Sequence, residues 1–269
     1  MTQAKKELKT IRKTPRKDYG QNFLSNKIKI EKIANYIIGK NIGNVVEIGP
    51  GLGAITDQLI NSYKNLNIKC IEKDKELFKI LKNKYKNKKN FDILNKDILN
   101  YDLGVHDNAK TLIFGNLPYN ISTKILMNFC DSLLQTQTEG LFMFQKEVAE
   151  KIIAKKLKNN QLSCKIKCFF DIKEILRLNQ SDFWPPPKIK STLLLFTPKE
   201  INFDKNRLKE LNHFFNIAFQ SNRKKLFNNL RNEYDKLLLE KIFGALKLDL
   251  SHRPENIYPE QYLEIFHSL

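Results

Sequence analysis

The chain has 269 residues, 41% of them hydrophobic, with 47 Lys+Arg against 29 Asp+Glu and a net charge of +18. A core can be buried at this length and composition, which excludes a disordered chain, and no apolar run reaches the ~20 residues of a membrane helix. The positive excess favours a polyanionic partner over a small-molecule substrate.

The first residues, MTQAKKELKTIRKTPRKDYG, lack the apolar segment of a secretory signal. They carry Lys5, Lys6, Arg12, Lys13, Arg16 and Lys17, and read as a flexible basic arm that meets phosphates. Residues 25–39 have the spacing of an amphipathic helix, with Ile28, Ile33 and Ile37 on one side. VVEI (45–48) reads as a strand, followed by a Gly-rich turn and a helix through Ile55, Leu59 and Ile60. IKCIE (68–72) is a second strand, with a helix through Leu77, Ile80 and Leu81. FDIL (91–94), TLIF (111–114) and LFMFQ (141–145) are further strands, the last two followed by helical spacing. EILRL (174–178) and STLLLF (191–196) read as a final strand pair.

Strands that alternate with helices predict an α/β fold with a parallel sheet and right-handed crossovers. After Pro198 the pattern changes, and 204–219, 223–231 and 233–245 have helical periodicity only. The expected organisation is a basic arm over 1–20, an α/β domain over 21–200 and a small all-α domain over 201–269. Cys70, Cys130, Cys164 and Cys168 lack the paired spacing of a zinc site and read as reduced, buried thiols.

VEIGPGLGAIT places Gly49, Gly51 and Gly53 between a strand and a helix. Such a turn lets the backbone approach a ligand and aims helix N–H groups at it. Glu72 ends the second strand, 23 residues after Gly49, where a carboxylate can accept both hydroxyls of a ribose. Asp97 follows the third strand, with Ile98 beside it, so three successive strand ends carry suitable groups. No P-loop lysine pattern occurs, which disfavours ATP. Glu47, the G-x-G-x-G turn and the ribose acid together resemble class I S-adenosylmethionine-dependent methyltransferases. That resemblance implies a Rossmann-like domain and S-adenosylmethionine as cofactor.

TLIFGNLPYNIST (111–123) then stops a strand in Asn116-Leu117-Pro118-Tyr119. An exocyclic adenine amine is a poor nucleophile, because its lone pair is delocalised into the ring. Two fixed oxygens that accept its N–H hydrogens favour a more tetrahedral nitrogen. The Asn116 side chain and the Leu117 main-chain carbonyl can supply them. Pro118 stiffens the turn. Tyr119 offers a ring on which an extruded base stacks, worth ~1–3 kcal/mol. Phe183, in SDFWPPPKIKS and stiffened by Pro185, Pro186 and Pro187, is the candidate for the base's other face.

Asn-Leu-Pro-Tyr is similar to the signature of amino-group nucleic-acid methyltransferases. YGQNFLSN, EIGPGLGAIT, GNLPYNIST, FQKEVAEKI, FWPPPKIKST, AFQSNRKKL and RPENI stand in the order seen in ribosomal RNA adenine dimethyltransferases, from about residue 15 to the end. The resemblance implies that Asn22, Leu24, Gly49, Gly51, Glu72, Asp97, Ile98 and Asn116 hold the cofactor. It also implies that Leu117, Pro118, Tyr119 and Phe183 join Asn116 around the target base. The implied substrate is a pair of adjacent adenosines near the 3′ end of 16S rRNA, dimethylated at N6 during small-subunit biogenesis. Arg223, Lys224 and Lys225 are the expected RNA contacts. The chain is expected to act as a cytoplasmic monomer with no membrane partner.

Two departures from the family pattern stand out. Asn159-Asn160-Gln161-Leu162-Ser163 replaces the usual Tyr-Gly-Arg-Leu-Ser, and Tyr19 replaces a more usual Phe. The relatives that methylate large-subunit rRNA and confer antibiotic resistance usually have Ser at the position of Pro50 and Ile at that of Leu117. A non-catalytic RNA-binding or transcription factor on the same scaffold is opposed by intact Glu72, Asp97 and Asn116-Leu117-Pro118-Tyr119.

Overall fold

Apolar runs that do not alternate are the pattern of strands covered on both faces. The runs VVEI, TLIF and LFMF lie in β2 (Asn44–Ile48), β5 (Thr111–Asn116) and β6 (Glu139–Gln145), and each is buried along almost its whole length. These strands belong to a computed structural model that describes all residues except 1–2, 11–12, 17–18, 102–109, 119–121, 154–159 and 201–202.

Seven strands form one sheet in the order β4-β3-β2-β5-β6-β9-β7. The remaining members are β3 (Asn67–Ile71), β4 (Phe91–Leu94), β7 (Phe170–Leu178) and β9 (Ser191–Pro198). β2, β3, β4, β5 and β6 pair in parallel, and β9 runs antiparallel to β6. The chain turns outward in opposite directions from β2, to β3 on one side and β5 on the other. That reversal opens a crevice beyond the carboxyl ends of the strands. Register aligns Ile48 with Ile71 and with Gly115, so Gly49, Glu72 and Asn116 emerge together at one edge.

Helices α2 (Lys27–Ile38), α3 (Ala54–Ser62), α4 (Lys75–Lys84), α5 (Ser122–Thr136) and α6 (Lys146–Ile153) follow the expected periodicity. In α2 the buried stripe is Ile30, Ile33, Ala34 and Ile37. Ile28, expected on that face, lies off the i, i+3, i+4, i+7 row and is 64% exposed.

Residues 3–10, expected to be flexible, form α1 (Gln3–Thr10). Ala4 and Leu8, four apart on one face, pack with Phe23, Leu52 and Leu77. The surrounding lysines hide this short stripe in the sequence. Phe23 and Leu24 form a two-residue strand, β1, paired antiparallel with β8 (Phe183–Trp184).

The chain divides into two compact units, Met1–Ala149 with Lys173–Thr197, and Glu150–Ile172 with Pro198–Leu269. The helical unit therefore takes in 150–172, which the expected boundary near 200 left with the sheet. The reason lies in α7 (Gln161–Phe169), which packs against α8 (Lys205–Ala218) and α11 (Pro259–Ser268). Phe214, Phe215 and Tyr262 fill the space between these elements, and Cys168 Sγ donates to Pro259 O at 3.0 Å. α9 (Leu226–Leu230) and α10 (Lys236–Ala245) complete the unit. All four cysteines are buried free thiols. No described helix is long and apolar enough to cross a membrane.

Candidate functional site

The turn after β2 is left-handed at Gly49 (φ 62°), Gly51 (φ 61°) and Gly53 (φ 79°). A side chain at Gly53 would collide with the Tyr85 hydroxyl at 2.7 Å, and one at Gly51 would press on the Phe23 ring at 3.0 Å. Around Gly49 there is nothing within 4 Å of a Cβ, so its left-handed backbone, which a glycine adopts freely, faces open space. That space is a cavity of about 270 Å³ at the sheet's carboxyl edge.

Glu72 enters the cavity from the end of β3. Its Oε2 accepts from Gly51 N at 3.1 Å and its Oε1 from Asp74 N at 2.9 Å. Burial pushes its carboxyl up to about 7, against these hydrogen bonds. Asn95 Nδ2 donates to Glu72 O at 2.8 Å and fixes the strand end. Glu47 is buried beneath the turn and accepts from the Thr56 hydroxyl. Burial pushes its carboxyl up to about 8.

Asp97 caps the 3₁₀ turn Ile98–Asn100 by accepting from Leu99 N at 3.1 Å. Partial burial opposes its ionisation, but Lys73 Nζ at 2.7 Å, the Leu99 N–H and the nearby Lys124 charge together hold the carboxyl below its usual range.

Asn116 ends β5 beside the same cavity. Its Nδ2 donates to Asn22 O at 2.9 Å, which leaves Oδ1 as the amide's acceptor. Gly115 precedes it because there is no room for a Cβ, which would lie 2.7 Å from Ile48 O on the adjacent strand.

Asn22, Leu24, Gly49, Gly51 and Glu72 all line the cavity. So do Asp97, Ile98, Asn116, Leu117 and Pro118. Tyr119 lies outside the described residues. Phe183, expected against the target base, does not line the cavity. Its pairing opposite Leu24 turns it into the core, where it is 2% exposed and offers no free ring face.

Arg223, Lys224 and Lys225 are exposed, and Lys225 is the residue before α9. Asn229 Nδ2 shapes this turn by donating to Ala218 O at 2.8 Å and Ser221 O at 3.1 Å. In the N-terminal segment, Lys13 is not free for phosphate, because Asp74 at 2.9 Å and Glu76 both hold it. Arg16 sits over the Tyr19 ring at 4.2 Å, and Lys5 also has a partner. Arg12 and Lys17 lie outside the described residues. The altered 159–163 stretch is a helix start, with Asn160 accepting from Ser163 N at 2.8 Å, while Asn159 is outside the described residues.

The chain matches the family described as "Ribosomal RNA adenine dimethylase" over residues 12–269. It belongs to the ribosomal RNA adenine dimethylase family. The "Ribosomal RNA small subunit methyltransferase A" of Mycoplasma mobile is 36% identical over 256 residues, covering 94% of this chain and 98% of the relative. The protein of the same name from Ureaplasma urealyticum is 37% identical over 281 residues, covering 100% of this chain and 97% of the relative. A solved dimethyladenosine transferase from Plasmodium falciparum shares the fold, with a TM-score of 0.71 at 22% identity, covering 90% of this chain and 95% of that one.

Within this dimethylase family member, three site residues escaped the motif reading. Gly115 hides behind the more conspicuous Asn116. Gln21 and Asp74 each stand next to a residue that was singled out, in Gln21-Asn22 and Glu72-Lys73-Asp74, and that adjacency was the available signal.

Proposed function

We propose that this chain transfers methyl groups from S-adenosylmethionine to the N6 amines of two adjacent adenosines near the 3′ end of 16S rRNA, in the small ribosomal subunit. The observation that carries this reading is the Asn116 amide. The Asn22 carbonyl takes one of its N–H donors and so fixes the side on which the acceptor Oδ1 lies.

S-adenosylmethionine bound there supplies a methyl group on a sulfonium, activated toward nucleophiles. Glu72 would accept from the ribose hydroxyls and Asp97 from the adenine amine. Gly49, Asn22 and Leu24 would hold the methionine portion. The cavity's carboxylates, Glu72 and Asp97 with Glu47 beneath the turn, and its bare glycine backbone suit such a ligand.

Asn116 Oδ1 and the Leu117 carbonyl would accept from the target amine and so orient its lone pair for attack. The chemistry so supplied would be an N–C bond made as the donor's C–S bond is given up, with the alkylated nitrogen releasing its proton to solvent. No strong base is needed, because an N-alkylated anilinium-like nitrogen is acidic. Tyr119 is the residue assigned to the extruded base. The exposed basic turn at 223–225 meets rRNA phosphates. The chain works in the cytoplasm as a monomer.

The deciding experiment offers undermethylated 30S and 50S particles, with labelled methyl donor, and maps the modified positions. Dimethyladenosine at two adjacent positions of 16S rRNA is the expected result. Transfer to 50S particles alone would replace this reading with that of a large-subunit enzyme.

A further inference from the structure

We propose that Gln21 is a positioning residue for methyl transfer, locking the Asn22 carbonyl that orients the Asn116 amide. The inference rests on the methyl-transfer reading above and adds to it a contact that ties three distant segments together.

The Gln21 side chain is held at both ends. Its Nε2 donates to Asp74 Oδ2 at 2.9 Å, and its Oε1 accepts from Arg16 N at 2.9 Å. The main chain closes the same loop, since Gln21 N donates to Arg16 O at 3.3 Å. Asp74 is itself held by several partners. It is 2% exposed, caps α4 by accepting from Glu76 N and Leu77 N, and is paired with Lys13. Asp74 N in turn donates to the Glu72 carboxylate, which lines the cavity. A rigid helix start thus grips Gln21, and the next peptide unit presents its carbonyl to Asn116 Nδ2.

An Asn side chain can rotate its amide by half a turn and exchange acceptor for donor. With the Asn22 carbonyl fixed, the exchanged form would set two acceptors against each other. Without it, the amide presents –NH₂ to the target amine for part of the time, which repels the nucleophile. Gln21 lines the cavity as well, and its effect on the rate runs through the acceptor. Its loss lowers kcat at saturating cofactor and leaves affinity for RNA alone.

The test compares the wild-type chain with Gln21→Ala, Gln21→Glu and the double variant Gln21→Glu/Asp74→Asn on undermethylated 30S particles. Saturating S-adenosylmethionine is used, with thermal melting and RNA binding measured alongside. Gln21→Ala should lose about five- to tenfold in kcat, the weight of one ordinary hydrogen bond in the transition state, with RNA affinity unchanged. Gln21→Glu should lose at least as much, because it sets a carboxylate against Asp74. The double variant restores a donor–acceptor pair between the two positions and should recover at least threefold over Gln21→Glu. A kcat for Gln21→Ala equal to wild type overturns the inference. So does a defect confined to KM or to melting temperature, or a double variant no better than Gln21→Glu. A wild-type chain that transfers no methyl to 30S particles overturns the functional reading and this inference with it.

Discussion

Glu72 offers a quantitative test of the proposed cofactor cradle, through pH. Its carboxyl is pushed up to about 7 by burial, from an ordinary value of 4.5. Ribose hydroxyls donate to the ionised form, so cofactor affinity should rise with pH until Glu72 is fully ionised. With a value near 7, about one molecule in eleven is ionised at pH 6, so affinity there should be roughly tenfold below its plateau above pH 8. Folding stability should move the other way. The folded state binds more protons than the unfolded state between about pH 4.5 and 7, so this carboxyl favours folding at low pH and its contribution fades as pH rises through 7. Glu47, pushed up to about 8 by burial, extends the same trend in stability.

Calorimetric titration with S-adenosylhomocysteine at steps between about pH 6 and 8.5 reads the affinity, and melting of the free protein reads the stability. Glu72→Gln isolates the cause. It removes the titration and points an amide N–H₂ at one of two main-chain donors, Gly51 N or Asp74 N. The loss of a charge-assisted acceptor costs about 1.5–3 kcal/mol, or ten- to a hundredfold in affinity. Any pH dependence left in the variant belongs to other groups. Wild-type affinity that is flat from pH 6 to 8, or a Glu72→Gln variant of unchanged affinity, would refute the assigned role.

Three further outcomes follow from the same geometry. Asn116→Ala should abolish both methyl transfers, and normal accumulation of monomethyladenosine by that variant would contradict the acceptor role. Gly115→Ala forces a methyl to within 2.7 Å of Ile48 O, so thermal denaturation should show a loss of about 1–3 kcal/mol, with lower activity as Asn116 is displaced. Replacing Arg223, Lys224 and Lys225 together by Ala should weaken RNA binding and spare cofactor binding. The slope of log K against log salt should shrink by about two to three if each cation meets one phosphate, and an unchanged slope removes this turn from the RNA interface.

The sheet was legible because its central strands are covered on both faces and so appear as uninterrupted apolar runs. The candidate site was legible for a related reason. Once strands and helices alternate, topology alone brings successive strand ends to one edge, and Gly49, Glu72, Asp97 and Asn116 are those ends. What was missed lacks any local mark. α7 ends at Phe169 and β7 begins at Phe170, with no turn residue between them to separate helix from strand. Phe183, two residues before a run of three prolines, reads as a loop aromatic, and only its pairing with Leu24 across the fold buries it. The contact between Gln21 and Asp74 spans 53 residues, and that between Asn116 and Asn22 spans 94. Neighbouring residues can reveal which group does the chemistry, because its type and its strand end suffice. They cannot reveal what aims that group, since aim is set by hydrogen bonds between segments that only the folded chain brings together. The orienting contacts of this site are therefore where a substitution that leaves every motif intact should still lower the rate of methyl transfer.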